Sequence, residues 1–176
     1  MPRRARPSSA DPGVLVPFRP AEAEVILGWV ASDEEAWRWA SLSSKPTDVA
    51  MFERWHAEAG VRPYLLVAAG STVAYGEIWE DPDEDEAELA RLIVDPSKRG
   101  RGVGRTLVTA LADEARRLGW SNIWLRVVPD NEPALRAYAA AGFVRATAAV
   151  EGTFNAGQPV AFVWLRWESG ANEDAP

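Results

Sequence analysis

The run Arg99-Gly100-Arg101-Gly102-Val103-Gly104-Arg105-Thr106 places glycines at alternate positions among cationic and hydroxyl side chains, directly after the apolar Leu92-Ile93-Val94. A glycine-rich turn of this kind leads from a strand into a helix whose first backbone amides lack partners and carry partial positive charge. With no side chain blocking the approach, a pyrophosphate can rest on those amides. Lys98, Arg99, Arg101 and Arg105 add charge around the same place. A nucleoside triphosphate loop is excluded, because it needs a glycine, a four-residue gap and then Gly-Lys-Ser/Thr. A dinucleotide loop fits poorly, because the last glycine comes one place early and no strand-helix-strand unit precedes it. Coenzyme A and, more weakly, a dinucleotide stay open as the phosphate ligand, beside the plain alternative of a strand-to-helix turn that serves only tight packing.

The rest of the reactive inventory is short. The chain has no cysteine and a single histidine, His56, so thiol nucleophiles, disulfides, Cys-type zinc sites and most histidine metal sites drop out. No metal is expected. Chemistry must rest on carboxylates, hydroxyls, amines and backbone dipoles. His56 lies in the helical-looking FERWHAEAG and reads as a surface or boundary imidazole. A chain without cysteine is compatible with a reducing cytoplasm, the expected location.

The elements that must position the loop can be read from spacing. The 176 residues fit one domain, expected over 14–168 between flexible tails at 1–13 and 169–176. GVLVPFRP reads as a first strand, and AEAEVILGWVASDEEAWRWAS and DVAMFERWHAEAG read as helices. PYLLVAA and TVAYGEIW form a hairpin across Gly70-Ser71, and AELARLIVD is the strand before the loop. From Val103, the stripe Leu107, Val108, Leu111, Ala115 and Leu118 makes an amphipathic helix stopped at Gly119. NIWLRVV is a strand, a short helix starts at Pro133 and ends at Gly142, and TAAVEGTF with PVAFVWLRW is expected as an antiparallel pair. Strand, helix, strand across the glycine loop demands a parallel pair, whereas the hairpins demand antiparallel pairing, so the sheet is mixed.

With that order in place, the loop resembles the R/Q-x-x-G-x-G/A acetyl-CoA loop of the GNAT superfamily of N-acetyltransferases, through Arg99, Gly102 and Gly104. Downstream, NEPALRAYAAAGF is similar to the family's N-x-x-A-x-x-x-Y-x-x-x-G-F signature through Asn131, Ala134, Tyr138, Gly142 and Phe143. The resemblance runs over about residues 14 to 168 and implies an α/β (α+β) fold. Its sheet is mixed and mostly antiparallel, with six to seven strands, a splayed parallel central pair and four helices. It further implies acetyl-CoA as co-substrate, held by Leu92, Ile93 and Val94 on the strand and by Arg99 to Arg105 and Asn131. The Val94 amide is the expected oxyanion donor. Tyr138 is implied as the acid for the leaving thiolate. Glu88, eleven residues before Arg99, resembles the catalytic glutamate of the histone acetyltransferase branch; Glu77, Glu80 and water are the alternatives for the base.

The acceptor is less constrained. A net charge of −7 argues against a nucleic-acid partner, and no apolar run is long enough to anchor in a membrane. The segment Glu80 to Glu88, EDPDEDEAE, holds seven acids and no base, a solvated hairpin loop or a negative funnel for a cationic amine. Of nine tryptophans, Trp29, Trp37, Trp39 and Trp55 fall where the family builds its acceptor pocket. The resulting expectation is an acetyltransferase acting on a primary amine by direct attack in a ternary complex. The rival is a non-catalytic acyl-CoA sensor, and the oligomeric state, a homodimer included, stays open.

Overall fold

A computed structural model describes residues 13–168, so the expected tails lie outside the described residues apart from Gly13. The chain runs β1 (Val14–Pro17), α1 (Ala23–Gly28), α2 (Asp33–Ala40), α3 (Ala50–His56), β2 (Val61–Ala68), β3 (Ser71–Asp81) and β4 (Glu86–Val94). It continues as α4 (Val103–Arg117), β5 (Asn122–Val127), α5 (Glu132–Ala140), β6 (Phe143–Arg145), α6 (Ala148–Phe154) and β7 (Val163–Trp167). Short 3-10 turns occupy Pro20–Glu22 and Pro96–Lys98. None of the described helices is long and apolar enough to cross a membrane.

All seven strands join one sheet in the order β1-β2-β3-β4-β5-β7-β6, and only β4 and β5 run parallel. Because successive side chains point to opposite faces, β1 to β4 feed two cores, while β5, β6 and β7 feed one. One core lies against α4, where Leu107, Val108, Leu111, Ala112 and Ala115 make a continuous apolar stripe packed on Ile78, Leu89, Ile123 and Leu125. Fully burying each large aliphatic side chain is worth roughly 1.5–3 kcal/mol, so this stripe fixes where α4 begins. Gly76 lets the helix come close: a Cβ there would stand 2.6 Å from Leu92 and 2.8 Å from Leu111. On the opposite face α1, α2 and α3 enclose Ile26, Trp39, Phe52, Leu65, Tyr75 and Ile93.

Two expectations need correction. Among the described residues there are six α-helices rather than four, in part because the first helical stretch breaks at Trp29–Ser32 and Ser32 caps α2 by accepting from the Glu35 amide at 3.2 Å. TAAVEGTF is not a strand: Thr147 accepts from the Val150 amide and starts α6, while β7 takes the three-residue β6 as its partner. Asn155 then clips α6 to β7, accepting from the Phe162 amide at 3.0 Å and the Trp164 indole at 3.1 Å.

Candidate active site

The parallel pairing of β4 with β5 is short. It covers Glu86, Ala87 and Glu88 against Asn122, Ile123 and Trp124, and then stops. Beyond it β4 stays paired to β3 alone, with Ile93 opposite Tyr75 and Val94 opposite Ala74, while β5 stays paired to β7. Leu92, Ile93 and Val94 therefore lie on an edge facing a wedge, where the main-chain groups not bonded to β3 can meet an extended ligand, apart from the Val94 carbonyl, which Arg99 takes.

At the wide end of this wedge stands the glycine loop. Gly100 and Gly102 adopt left-handed backbone, φ 71° and 83°, and Gly102 is the N-cap of α4 with no side-chain cap. The first amides of α4, from Val103 on, are thus left for an anion. Gly104 packs close, its Cβ position 3.8 Å from both Ala137 and Val94, so loop, donor strand and α5 converge there. Among the described residues Lys98, Arg101 and Arg105 have no ion-pair partner, whereas Arg99 is tied back, donating from Nε to the Val94 carbonyl at 3.1 Å and pairing with Glu35 of α2 at 2.5 Å. Arg99 thereby braces the loop against β4 and α2. Gly102→Ala should cost more than about 1 kcal/mol in urea unfolding, because alanine resists that left-handed φ. It should also shrink the thermal shift given by coenzyme A; an unchanged melt with an unchanged shift counts against this account of the loop.

Asn131 caps α5, its Oδ1 accepting from the Ala134 amide at 3.3 Å. Two turns along, Tyr138 packs on the α4 core beside Phe143. Burial raises its phenol above the ordinary range, and its hydroxyl has no hydrogen-bond partner among the described residues. It is a protonated donor without an acceptor.

Glu88 occupies the apex of the wedge on the face away from α4, in its last parallel pair, and makes no bond to Tyr138. Its side chain is 21% exposed and pairs with Arg126 Nε at 3.1 Å. Burial pushes its carboxyl up, the Arg126 charge pulls it back and Glu86 adds to the rise, leaving it at about 7. A carboxylate titrating there suits proton abstraction at neutral pH. Behind Glu88 lies a cavity of about 100 Å³ lined by Glu86, Glu88, Trp124, Phe154 and Trp164. The Trp124 indole N–H is buried with no acceptor among the described residues. It draws on the Glu86 carboxylate from outside hydrogen-bonding geometry, offsetting only part of the burial that raises that carboxyl.

The alternative bases are placed otherwise. Glu77 is fully buried and accepts from the Tyr75 hydroxyl, from Trp79 Nε1 at 2.6 Å and from Arg91 Nη1 at 3.0 Å. Burial, against the opposing pull of Arg91, Tyr75 and Trp79, keeps its carboxyl above the usual range. Burial also works to raise Glu80, but hydrogen bonds from Arg62 and Trp120 outweigh it and hold that carboxyl low. Neither lines the cavity behind Glu88.

Sequence reasoning missed a further group altogether. Arg91 interrupts β4 with a bulge at φ 49°. Its guanidinium carbon lies 3.8 Å from the Trp55 ring centroid and 4.7 Å from that of Trp79, and its carbonyl accepts from Trp39 Nε1 at 2.7 Å. His56, hydrogen-bonded to the Tyr75 hydroxyl at 3.1 Å, is held neutral by burial and by Arg91, which push it down to about 4. Trp29 and Trp39 are core and Trp55 stacks on Arg91, so the aromatic wall of the cavity comes instead from Trp124, Phe154 and Trp164. Only an alternation of aromatic and charged residues in NIWLRVV and AFVWLRW signalled Trp124 and Trp164, and nothing local signalled Phe154.

Residues 26–143 match the model of the Acetyltransferase (GNAT) family. Over 110 residues the chain is 36% identical to the mycothiol acetyltransferase of Streptomyces avermitilis, covering 61% of this chain and 34% of that protein. It is 40% identical over 63 residues to the [ribosomal protein bS18]-alanine N-acetyltransferase of Escherichia coli K12, covering 36% of this chain and 43% of that one. The chain thus matches less than half the length of either relative. The fold superposes on AAC(6')-Ib, solved with ribostamycin and coenzyme A, with a TM-score of 0.72 at 20% identity, over 92% of this chain and 98% of that one. The chain belongs to the GNAT family of acetyltransferases.

Proposed function

We propose that the chain transfers an acetyl group from acetyl-CoA to a primary amine by direct attack in a ternary complex. The observation that carries this reading is the end of β4–β5 pairing at Glu88 and Trp124, which sets a carboxylate titrating near 7 at the apex of the wedge. The open edge of Leu92 to Val94 and the uncapped start of α4 then offer the donor a seat leading away from that carboxylate. The pyrophosphate rests on the first α4 amides with Arg101 and Arg105 nearby, and the pantetheine arm follows the β4 edge, where the Val94 amide polarises the thioester carbonyl.

Glu88 takes the proton from the acceptor ammonium. The freed nitrogen lone pair attacks the thioester carbonyl carbon, the C–N bond forms and the C–S bond breaks. Tyr138 hands its proton to the departing thiolate, and the second proton that the nitrogen sheds as the amide forms returns to the Tyr138 phenolate, while Glu88 releases its own to solvent. Holding the two substrates together supplies roughly 7 to 11 kcal/mol of the barrier reduction, so no covalent enzyme intermediate is needed. The acceptor is a primary amine of a small molecule, a lysine side chain or a peptide N-terminus.

The test follows thiol release from acetyl-CoA over a panel of amines, beside thermal shift with coenzyme A. Coenzyme A at a hundred times its Kd should stabilise the fold by about 2.7 kcal/mol. Tyr138→Phe should lower kcat on a good acceptor by about a hundredfold while leaving the shift in place. A coenzyme A shift with no thiol release on any amine makes the chain a sensor of acyl-CoA, and no shift at saturation overturns the donor site.

A further inference from the structure

We propose that the cavity behind Glu88 is a subsite for a second cationic group of the acceptor, so that this chain prefers a diamine over a monoamine; the inference rests on the acetyltransferase reading above. Sites that enclose a whole small molecule run roughly 300–1,000 Å³, and this cavity, at about 100 Å³, takes a single head group. Its walls are aromatic. Trp124 and Phe154 meet with centroids 5.1 Å apart at 81°, and Phe154 and Trp164 at 4.8 Å and 66°, so successive rings turn through most of a right angle, as the sides of a box do. Ring faces of this kind attract cations. Two of them already do so from outside the cavity: the Arg166 guanidinium lies 5.7 Å from the Trp124 centroid and that of Arg126 lies 5.4 Å from Trp164.

The charges in the cavity do not balance. Arg126 compensates Glu88, but Glu86 has no cationic partner among the described residues, and Asp81 and Glu84 add to the negative field upon it. One further positive charge completes the set. The unsatisfied Trp124 N–H points the same way, since Glu86 has two oxygens and, drawn inward by a bound ammonium, can accept from both. The box is also built in advance: Asn155, the residue after Phe154, is bonded to Phe162 and Trp164, and Glu151 accepts from the Trp164 amide at 3.2 Å. The aromatic walls need no rearrangement to seat a cation; only the Glu86 carboxylate swings inward.

The spacing sets the length of the ligand. Glu86 and Glu88 are two residues apart on one face of β4, a separation of about 6.5 Å. The wedge opens on the far side of Glu88, so the reacting nitrogen sits by Glu88 and the second cation by Glu86. A chain of about four carbons between two nitrogens spans that distance.

Calorimetric titration of the full chain, saturated with coenzyme A, with 1,4-diaminobutane and with 1-aminobutane reads the subsite without requiring turnover. The diamine should bind about tenfold more tightly, and Glu86→Gln should cut that ratio below about threefold. Phe154→Leu should do the same, but Glu86→Gln keeps side-chain shape and strand pairing and so decides if α6 loosens. Equal binding of the two amines by the parent chain, or a ratio that survives Glu86→Gln, overturns the proposal. Thiol release measured beside it separates the two readings. A tenfold binding ratio with no release on either amine upholds the subsite and sinks the transferase; release with equal binding of both amines does the reverse.

Discussion

Glu88→Gln is expected to lower kcat/KM on a good amine acceptor by about two to three orders of magnitude, and to erase from its pH profile the ionisation near 7. In the parent chain the productive pair is the Glu88 carboxylate with the acceptor ammonium, whose ordinary pKa is about 10.4. So kcat/KM should climb with pH until Glu88 is ionised, then stay level until the acceptor loses its own proton. Without the carboxylate only amine that is already neutral can react, and the profile should keep rising up to about pH 10. A variant profile that keeps the parent's shape and is merely displaced downward would remove Glu88 from the base role. Stability carries a matching signature. The folded carboxyl holds its proton up to about 7 rather than the ordinary 4.5, so its contribution is fully present below 4.5 and is lost as pH rises through 7. Urea unfolding of the parent against the variant between those limits should show that slope in the parent only.

Arg91→Met should be the most damaging substitution for the fold itself. It leaves Glu77, which is fully buried, without its cationic partner, and breaking a buried ion pair from one side costs about 3–5 kcal/mol. Glu77→Gln together with Arg91→Met should recover part of that loss, because the remaining amide is neutral: its single oxygen can accept from Trp79 Nε1 while its NH2 donates to the Tyr75 hydroxyl oxygen. A single-variant cost below about 1 kcal/mol, read from urea midpoints at equal slope, would show that the pair is not what holds the bulge. If the clamp does hold it, the surviving Arg91→Met protein should also bind coenzyme A more weakly, since Leu92 and Ile93 follow the bulge directly.

Much of this architecture was legible in the residues. Period-two runs gave the β2–β3 hairpin, the helical stripe from Leu107 to Ala115 gave α4, and the glycine spacing gave the uncapped turn into it, because each of those signals is local. TAAVEGTF misled because its threonines, valine and phenylalanine favour strand, whereas its start signal is one hydroxyl, that of Thr147, accepting from Val150. The bulge in AELARLIVD was invisible for a different reason. It is set by Trp39, Trp55, Glu77 and Trp79, which reach Arg91 from α2, α3 and β3, and no window along β4 contains them. The cavity was hidden likewise, since Glu86, Trp124, Phe154 and Trp164 meet only when β4, β5, α6 and β7 are assembled.

The Arg91 clamp also bears on how such a chain can change over time. The bulge that precedes the Leu92–Val94 edge is gripped by Trp39 and Trp55, and both project from the helices that cover the sheet face opposite α4. Drift in α2 and α3 is therefore constrained at those two indoles; under the proposed reading, altering either disturbs the seat of acetyl-CoA. The cavity between α6 and β7 carries no such tie to Arg91. New acceptor preferences have their least obstructed route there, at the far end of the chain from the helices in which the tryptophans first drew the eye.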